Sequence, residues 1–245
     1  MPHTVWESSD SLEEINCANC GAAIRPGDIL DGVALCKYCG VNFRVPLTFT
    51  PEPALGDLLL GADFRDPQLR GWKTFNNDKW ELRPGARGEL WAKFPASNLI
   101  HPVLRTPGPL DDFDLSVSMR FIEGAQDYLS AGFEVRTSDD GDYIIQISAQ
   151  GTFRVGWHTK TEWGGEFFKW TDHPALRKGM NEENRLRVIL RADLLRVYLN
   201  GIVAASLHDA KFPFGYARLV VSPGDQKQPA VVAFSDLQLR ETKPR

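Results

Sequence analysis

The chain has 245 residues, with 28 Lys and Arg against 32 Asp and Glu and a formal net charge of −4. Nucleic-acid-binding modules usually carry a basic face, so this balance argues against nucleic acid as a partner. No run approaches about 18 apolar residues, and residues 1–10 lack the basic and apolar regions of a secretion signal, so we expect no membrane contact. Cysteines without an export signal are expected to stay reduced, so we expect a cytoplasmic location.

All four cysteines fall in the first forty residues, after an acidic leader over residues 1–14 that we expect to be flexible. They form two C-x-x-C pairs separated by fifteen residues: Cys17, Cys20, Cys36 and Cys39. Each pair places two thiolates on one tight turn, where they can take two corners of a tetrahedron around one ion. Gly21 and Gly40 follow the pairs and can take the positive φ that such a turn requires. The spacing predicts a structural Zn²⁺ site with a closed ligand shell.

Two other interpretations of the cysteines stay open. Two disulfides are disfavoured by the missing secretion signal, and four thiolates could also hold iron, which the sequence does not separate from zinc. Between the pairs, Asp31-Gly32 separates two short apolar runs and predicts a hairpin. Over residues 15–44 the chain resembles the zinc ribbon family, and the resemblance implies two knuckles on hairpins that grip one ion.

Residues 45–60 are expected to form a linker between two domains. Val45 to Pro53 contains three prolines in nine residues. Proline fixes φ and lacks an N–H, so this segment is expected to be extended and semi-rigid. The second domain is then predicted to span residues 61–241.

The second domain shows the period-two alternation of β-strands. Residues 114–121, Asp-Leu-Ser-Val-Ser-Met-Arg-Phe, alternate polar and apolar side chains, as a strand with one buried face requires. Asn200-Gly201 lies between two apolar runs and predicts a type I′ hairpin, and Gln150-Gly151 marks another turn. Helical periodicity is missing. We therefore predict an all-β fold, an antiparallel β-sandwich or barrel.

The order of these strand motifs resembles the concanavalin A-like lectin/glucanase jelly rolls, and within them the 3-keto-disaccharide hydrolase or laminin-G-like branch. The motifs include Phe113-Asp-Leu-Ser-Val-Ser-Met-Arg-Phe, Ala131-Gly-Phe-Glu-Val-Arg and Leu195-Arg-Val-Tyr-Leu-Asn-Gly. The resemblance implies two curved sheets packed face to face, with glycan binding on the concave face or on the rim loops. Because the family contains hydrolases, lectins and scaffold modules, the fold leaves the function open.

Catalytic carboxylates are not evident in the sequence. Glycoside cleavage usually needs two carboxylates on one face, and no E-x-D-x-E motif is present. Glu134 and the acidic residues of Asp139-Asp140-Gly141-Asp142 are separated by a turn, so we do not expect them to line one face. That turn is either a solvated hairpin tip or a Ca²⁺-binding loop. The sequence leaves open whether the protein is an enzyme, and the missing carboxylate motif favours a protein without catalytic activity.

The segment Val155 to His173 is dense in aromatic residues and contains the candidate ligand-binding residues Trp157, His158, Trp163, Glu166 and Trp170. Sugar C–H faces stack on indole rings, and His and Glu side chains can bond hydroxyl groups. Alternatively, these rings only cap one end of the sandwich. The sequence predicts a non-catalytic binding protein with a carbohydrate or protein partner. A hydrolase of glycosidic bonds of the 3-keto-disaccharide type is the alternative.

Overall fold

The computed structural model describes residues 15–17, 19–24, 29–30, 33–44, 55–62, 64–66, 69, 71–75, 80–85, 87–159, 161, 163–225 and 227–242. The chain divides into two compact units, residues 1–51 and 52–245. The leader over residues 1–14 and most of the predicted linker, residues 45–54, lie outside the described residues. Within the described residues, the structure contains no helix that is long and apolar enough to cross a membrane.

The first unit consists of short antiparallel strands around the four cysteines. They are β1 (Ile15–Asn16), β2 (Ala23–Ile24), β3 (Ile29–Leu30), β4 (Val33–Leu35) and β5 (Asn42–Arg44). β1 pairs with β2, and β3, β4 and β5 form a three-stranded sheet. The predicted hairpin between the cysteine pairs is confirmed, because Ile29 lies opposite Ala34 and Leu30 opposite Val33.

The second unit is an antiparallel β-sandwich, which confirms the predicted fold class. Its first strands are β6 (Leu58–Gly61), β7 (Lys73–Thr74), β8 (Glu81–Pro84), β9 (Leu90–Phe94), β10 (His101–Arg105), β11 (Phe113–Glu123), β12 (Ser130–Thr137) and β13 (Asp142–Ser148). The remaining strands are β14 (Thr152–His158), β15 (Trp163–Asp172), β16 (Glu183–Arg191), β17 (Leu194–Leu199), β18 (Ile202–His208), β19 (Tyr216–Ser222) and β20 (Ala230–Arg240). Because β6 pairs with β20, the sandwich begins inside the segment predicted as linker.

Two sheets form the layers of the sandwich. The first has seven strands in the order β15-β14-β13-β12-β19-β10-β7, and the second follows the order β18-β17-β16-β11-β20-β9-β8. β20 pairs with two different strands in succession. Its first half pairs with β9, and its last residues pair with β6. Asp236, between these halves, has φ +50°, so the strand bends where its partner changes.

The core lies between the two sheets and is rich in phenylalanine. Fully buried rings come from both layers, including Phe133 from the seven-stranded sheet and Phe121 and Phe234 from the other. Burying each such side chain contributes about 1.5–3 kcal/mol. Along each strand, alternate residues point into this core, so the residues between them occupy the outer face of the sheet.

The predicted turns are confirmed by their backbone conformations. Asn200 and Gly201 both have positive φ, +50° and +84°, as a type I′ turn requires, and they join β17 to β18 with Leu199 opposite Ile202. Gly151, with φ +79°, turns the chain between β13 and β14. Gly141, with φ +142°, completes the turn between β12 and β13. This last turn places the strands that carry the acidic residues side by side.

Candidate functional site

The four cysteines lie together in the first unit. Their sulfur atoms all fall within 4.8 Å of one another. The Sγ atoms of Cys17 and Cys39 are 3.7 Å apart, and those of Cys20 and Cys36 are 3.6 Å apart, so no disulfide joins them. Four sulfurs at about 2.3 Å from a tetrahedral ion would be about 3.8 Å apart. The donor set therefore fits one thiolate-bound metal ion.

The two C-x-x-C turns have the same backbone structure. Gly21 donates its N–H to the Cys17 carbonyl at 2.8 Å, and Gly40 donates to the Cys36 carbonyl at 2.8 Å. Both glycines have positive φ, +73° and +70°, as the sequence predicts. Each turn buries its first cysteine and leaves the second partly or fully exposed. This repeated geometry is what brings four thiols from two separate turns to one point.

The seven-stranded sheet has a polar outer face. On its central strands, alternate residues belong to the core, such as Phe133, Ile145 and Val155. Most of the residues between them are polar on four neighbouring strands: Ser130 and Glu134, Asp142, Gln146 and Ser148, Arg154 and His158, and Arg218 and Ser222, with Gly132, Ile144, Gly156 and Val220 as the exceptions. Cross-strand register places Glu134 opposite Arg218 and Asp142 opposite His158.

A pocket of about 620 Å³ lies on this face. Its polar lining includes Ser130, Glu134, Arg154, His158 and Ser222. Its apolar lining includes three side chains with large exposed fractions: Leu99 at 65%, Tyr128 at 63% and Trp170 at 41%. The pocket thus combines hydrogen-bonding groups with exposed apolar surface.

A cluster of four charged side chains is centred on Glu134 and His158. His158 Nδ1 lies 2.6 Å from Asp142 Oδ1, and His158 Nε2 lies 3.6 Å from Glu134 Oε1. Arg218 Nη1 lies 3.4 Å from the other Glu134 oxygen. One ligand atom from each of Glu134, Asp142 and His158 falls within a 4.8 Å group, which is close enough to share a cation. With His158 protonated, however, two negative and two positive charges balance without one.

The pKa values within this cluster follow from burial and pairing. The contact with Asp142, followed by that with Glu134, raises the pKa of His158 to about 10. Burial raises the pKa of Asp142, while His158 acts in the opposite direction. At neutral pH His158 is therefore an imidazolium that bridges two carboxylates. One of these carboxylates, Glu134, reaches the pocket.

A second polar group lies beside the cluster. Gln146 Oε1 accepts hydrogen bonds from Arg154 Nε at 3.0 Å and Nη2 at 2.6 Å. The Arg154 guanidinium lies 4.8 Å from the centroid of the Trp170 ring. Burial lowers the pKa of Arg154, and the charge of Glu166 opposes this. Gln146 thus fixes Arg154, and Arg154 in turn supports the exposed indole at the edge of the pocket.

The structure brings together two of the predicted ligand-binding residues, His158 and Trp170, at the pocket. Glu166 is exposed on β15 opposite Gly156. Trp157 packs against the core side of β14, with Lys211 Nζ 4.3 Å from its ring centroid. The backbone of Trp163 pairs with His158, and its side chain lies outside the described residues.

The expectation that Glu134 and Asp142 do not line one face is wrong. Both side chains reach His158, because β12 and β13 pair closely and Glu134 and Asp142 share the outer face. Asp142 therefore points into the sheet cluster and not toward a Ca²⁺ loop. Arg154 and Arg218 also belong to this face and are not among the residues predicted from the sequence. The available signal was a set of charged and polar residues at alternate positions of otherwise apolar strands, interrupted by residues such as Ile144 and Val220.

Comparison with known proteins identifies the fold. No protein-family model and no curated protein matches the sequence. Solved structures match well in shape. The carbohydrate-binding module CBM66 of Bacillus subtilis is 16% identical with a TM-score of 0.53 over 70% of this chain and 96% of that one. The β-glucanase of Bacillus licheniformis is 11% identical with a TM-score of 0.57 over 76% and 99%.

Crh5 transglycosylase is 13% identical, with a TM-score of 0.57 over 81% of this chain and 91% of that one. A Bacillus subtilis protein described as having a galectin-like fold also matches, at 10% identity and a TM-score of 0.55. At these identities the matches define the fold alone. The second unit is therefore a jelly-roll β-sandwich of the concanavalin-like and galectin-like type.

Proposed function

We propose that the pocket on the seven-stranded sheet binds a carbohydrate. The observation that carries the proposal is the combination of a polar floor with exposed apolar side chains at its edge. Sugar hydroxyls need hydrogen-bonding partners, which Ser130, Glu134 and Ser222 supply. The apolar C–H faces of a sugar ring can stack on Trp170 and Tyr128. The names of the structural neighbours, a carbohydrate-binding module, a glucanase and a transglycosylase, support this proposal.

Binding without cleavage is the form of this function that the cluster favours. Asp142 is 4% exposed and pairs with His158, so it does not face a ligand directly. Glu134 is contacted from two sides, by His158 and Arg218. A carboxylate held in this way is a fixed hydrogen-bond acceptor, which suits recognition of a hydroxyl group.

The test is binding of the full chain to a panel of oligosaccharides, first on an array and then by isothermal titration calorimetry. We expect a defined glycan class to bind, and Trp170→Ala to weaken its binding about tenfold or more. Phe214→Ala is the matched control, since Phe214 is also an exposed aromatic residue but does not line the pocket. No binding to any glycan, or equal loss in both variants, would reject the proposal and favour a protein partner.

Hydrolysis of a glycosidic bond, of the 3-keto-disaccharide type or another, is the second candidate. It is favoured by the proximity of the Glu134 and Asp142 carboxylates, which have oxygens within 4.8 Å of each other. Retaining glycosidases place their two carboxyl groups about 5–5.5 Å apart. A bound glycan from the panel is incubated with the protein, and products are followed by mass spectrometry. Cleavage by the wild type that Glu134→Gln abolishes, with binding retained, would establish the enzyme.

We further infer that the first unit holds one structural Zn²⁺ ion on its four cysteines. The sulfur separations of 3.6 and 3.7 Å support a tetrahedral thiolate site. Four protein ligands complete the shell, so the ion would stabilise the unit without taking part in chemistry. A reducing location such as the cytoplasm is consistent with thiolate ligands and stays a prediction.

A further inference from the structure

Three basic side chains stand next to one another on the same face as the pocket. Lys73 on β7 lies opposite Arg105 on β10, and Arg105 lies opposite Arg218 on β19. The next residue across the sheet is Glu134, which lies opposite Arg218 and lines the pocket. We call Lys73, Arg105 and Arg218 the basic row. It begins beside Glu134, at the border of the pocket, and extends toward the edge strand β7 of the sheet.

The basic row is only partly neutralised by the described residues around it, because Glu134 pairs with Arg218 alone of the three. Arg218 contacts Glu134 at 3.4 Å, but that carboxylate also contacts His158. Arg105 forms no ion pair within the described residues, and its guanidinium lies 4.3 Å from the centroid of the Tyr216 ring. The Nε atoms of both Arg105 and Arg218 are buried without a hydrogen-bond partner in that part of the chain.

This arrangement carries an energetic penalty that a ligand would remove. Like charges directly opposite each other on neighbouring strands destabilise a sheet. A buried donor without a partner is a further cost. An anion placed over the row would offset both, because a guanidinium can donate two parallel hydrogen bonds to one carboxylate. The stacking on Tyr216 restricts the Arg105 guanidinium and so reduces the entropy lost on binding.

We propose that the saccharide bound in the pocket is acidic, and that Arg105 and Arg218 hold its carboxylate or sulfate group. This inference rests on the proposed carbohydrate-binding function. The positive charge is local, because the whole chain has a net charge of −4. An acidic glycan fits better than a nucleic acid, since the row has only three basic residues and adjoins a pocket edged by Tyr128 and Trp170.

The experiment compares acidic glycans with neutral counterparts of the same linkage. Oligogalacturonate and alginate oligosaccharides are titrated into the full chain by calorimetry, together with the same oligosaccharides after reduction of their carboxyl groups to hydroxymethyl groups. Sulfated galactan oligosaccharides and their desulfated forms provide a second pair. A single-stranded DNA oligonucleotide tests the nucleic-acid alternative. We expect at least one acidic form to bind about tenfold or more tightly than its neutral partner, and added salt to reduce that difference.

Arg105→Gln is expected to weaken acidic binding about tenfold and to leave neutral binding unchanged. Arg218→Gln should weaken acidic binding by a similar factor, but it also removes a contact that holds Glu134, so we expect neutral binding to fall in this variant as well. Arg191→Gln, on a strand of the other sheet, is the matched control and should change neither. The wild-type comparison needs no variant, so it tests the inference even if a variant does not fold. Arg105→Lys keeps the charge but cannot form a bidentate hydrogen bond, so it should bind the acidic glycan with intermediate affinity.

The possible outcomes distinguish the inference of an acidic ligand from the proposal that the pocket binds a carbohydrate. Preference for the carboxylated or the sulfated member of a pair supports the inference and identifies the anionic group. Equal binding of acidic and neutral forms, lost in Trp170→Ala, would overturn the acidic ligand and keep carbohydrate binding. Binding of DNA as tightly as of the glycans would overturn the inference in favour of nucleic acid. Binding of no saccharide at all would overturn both.

Discussion

His158 and Asp142 form a close ion pair on the outer face of the seven-stranded sheet, with Nδ1 2.6 Å from Oδ1. This pair and the contact with Glu134 raise the pKa of His158 to about 10, above its ordinary value of 6.5. A raised pKa in the folded state means that protonated His158 stabilises the fold. The contribution is fully present below about pH 6.5 and is lost as the pH rises toward 10.

We therefore expect the free energy of unfolding to fall by on the order of 2 kcal/mol between pH 6.5 and 10. The His158 side chain is 23% exposed, so solvent screening keeps the expected value below what the full pKa shift implies. Urea unfolding at a series of pH values measures this change in the free energy of unfolding. His158→Gln should remove most of the slope, whereas His208→Gln, which changes an exposed histidine, should keep it. Equal slopes in the wild type and His158→Gln would contradict the assignment.

The buried pair of Asp114 and Arg187 is expected to be important for the stability of the sandwich. Arg187 donates from Nε and Nη2 to the two Asp114 oxygens at 2.8 and 2.6 Å, and both side chains are almost fully buried. Removing one partner leaves an uncompensated buried charge, so Asp114→Ala should cost about 3–5 kcal/mol. The measurement is chemical denaturation.

The exposed pair of Lys178 and Asp172 supplies the control for that measurement. Its atoms are 2.8 Å apart, but both side chains are largely in solvent, at 62% and 75% exposed. Asp172→Ala should change the free energy of unfolding by less than about 1 kcal/mol. Similar losses in the two variants would show that burial of the Asp114 pair has no special effect.

Gly132 is required by the close packing of β12 against β13. A Cβ atom at this position would lie 2.1 Å from the backbone oxygen of Ile145, so the neighbouring strand would have to move. We expect Gly132→Ala to destabilise the protein by about 1–3 kcal/mol. Gly108→Ala is the matched control, because a Cβ there meets no atom within 4 Å. Thermal melts of both variants measure the difference in stability. Equal melting temperatures for Gly132→Ala and Gly108→Ala would contradict the expected clash at Gly132.

The proposed zinc site predicts one metal ion per chain in protein purified under reducing conditions. Inductively coupled plasma mass spectrometry measures the metal and distinguishes zinc from iron. Cys17→Ser and Cys36→Ser replace the two buried cysteines and should abolish stoichiometric metal. A strong chelator should also make the first unit more sensitive to proteolysis. Metal-free wild-type protein with an unchanged proteolysis pattern would contradict the proposal.

The fold could be predicted because its signals are local. Alternation along residues 114–121 indicated strand β11, and Asn200-Gly201 indicated the hairpin of β17 and β18, since both depend only on neighbouring residues. The repeated C-x-x-C spacing likewise predicted that four thiols meet. The acidic residues were misjudged because the turn between Glu134 and Asp142 was treated as a separation. In an antiparallel hairpin such a turn brings side chains together across the strands.

The sequence by itself determined the all-β class, the turns and the cysteine site, because chain periodicity and short spacings encode them. Only the tertiary structure showed that Lys73, Arg105, Arg218 and Glu134 form one continuous row, since they come from four strands far apart in the chain. Likewise, Trp157 and Trp170 look equivalent in a list of aromatic residues. Strand register decides that one packs toward the core and the other reaches the pocket: the pairing of β14 with β15 shifts between Phe168 and Thr171, so Trp170 does not share the core-facing side of Phe168.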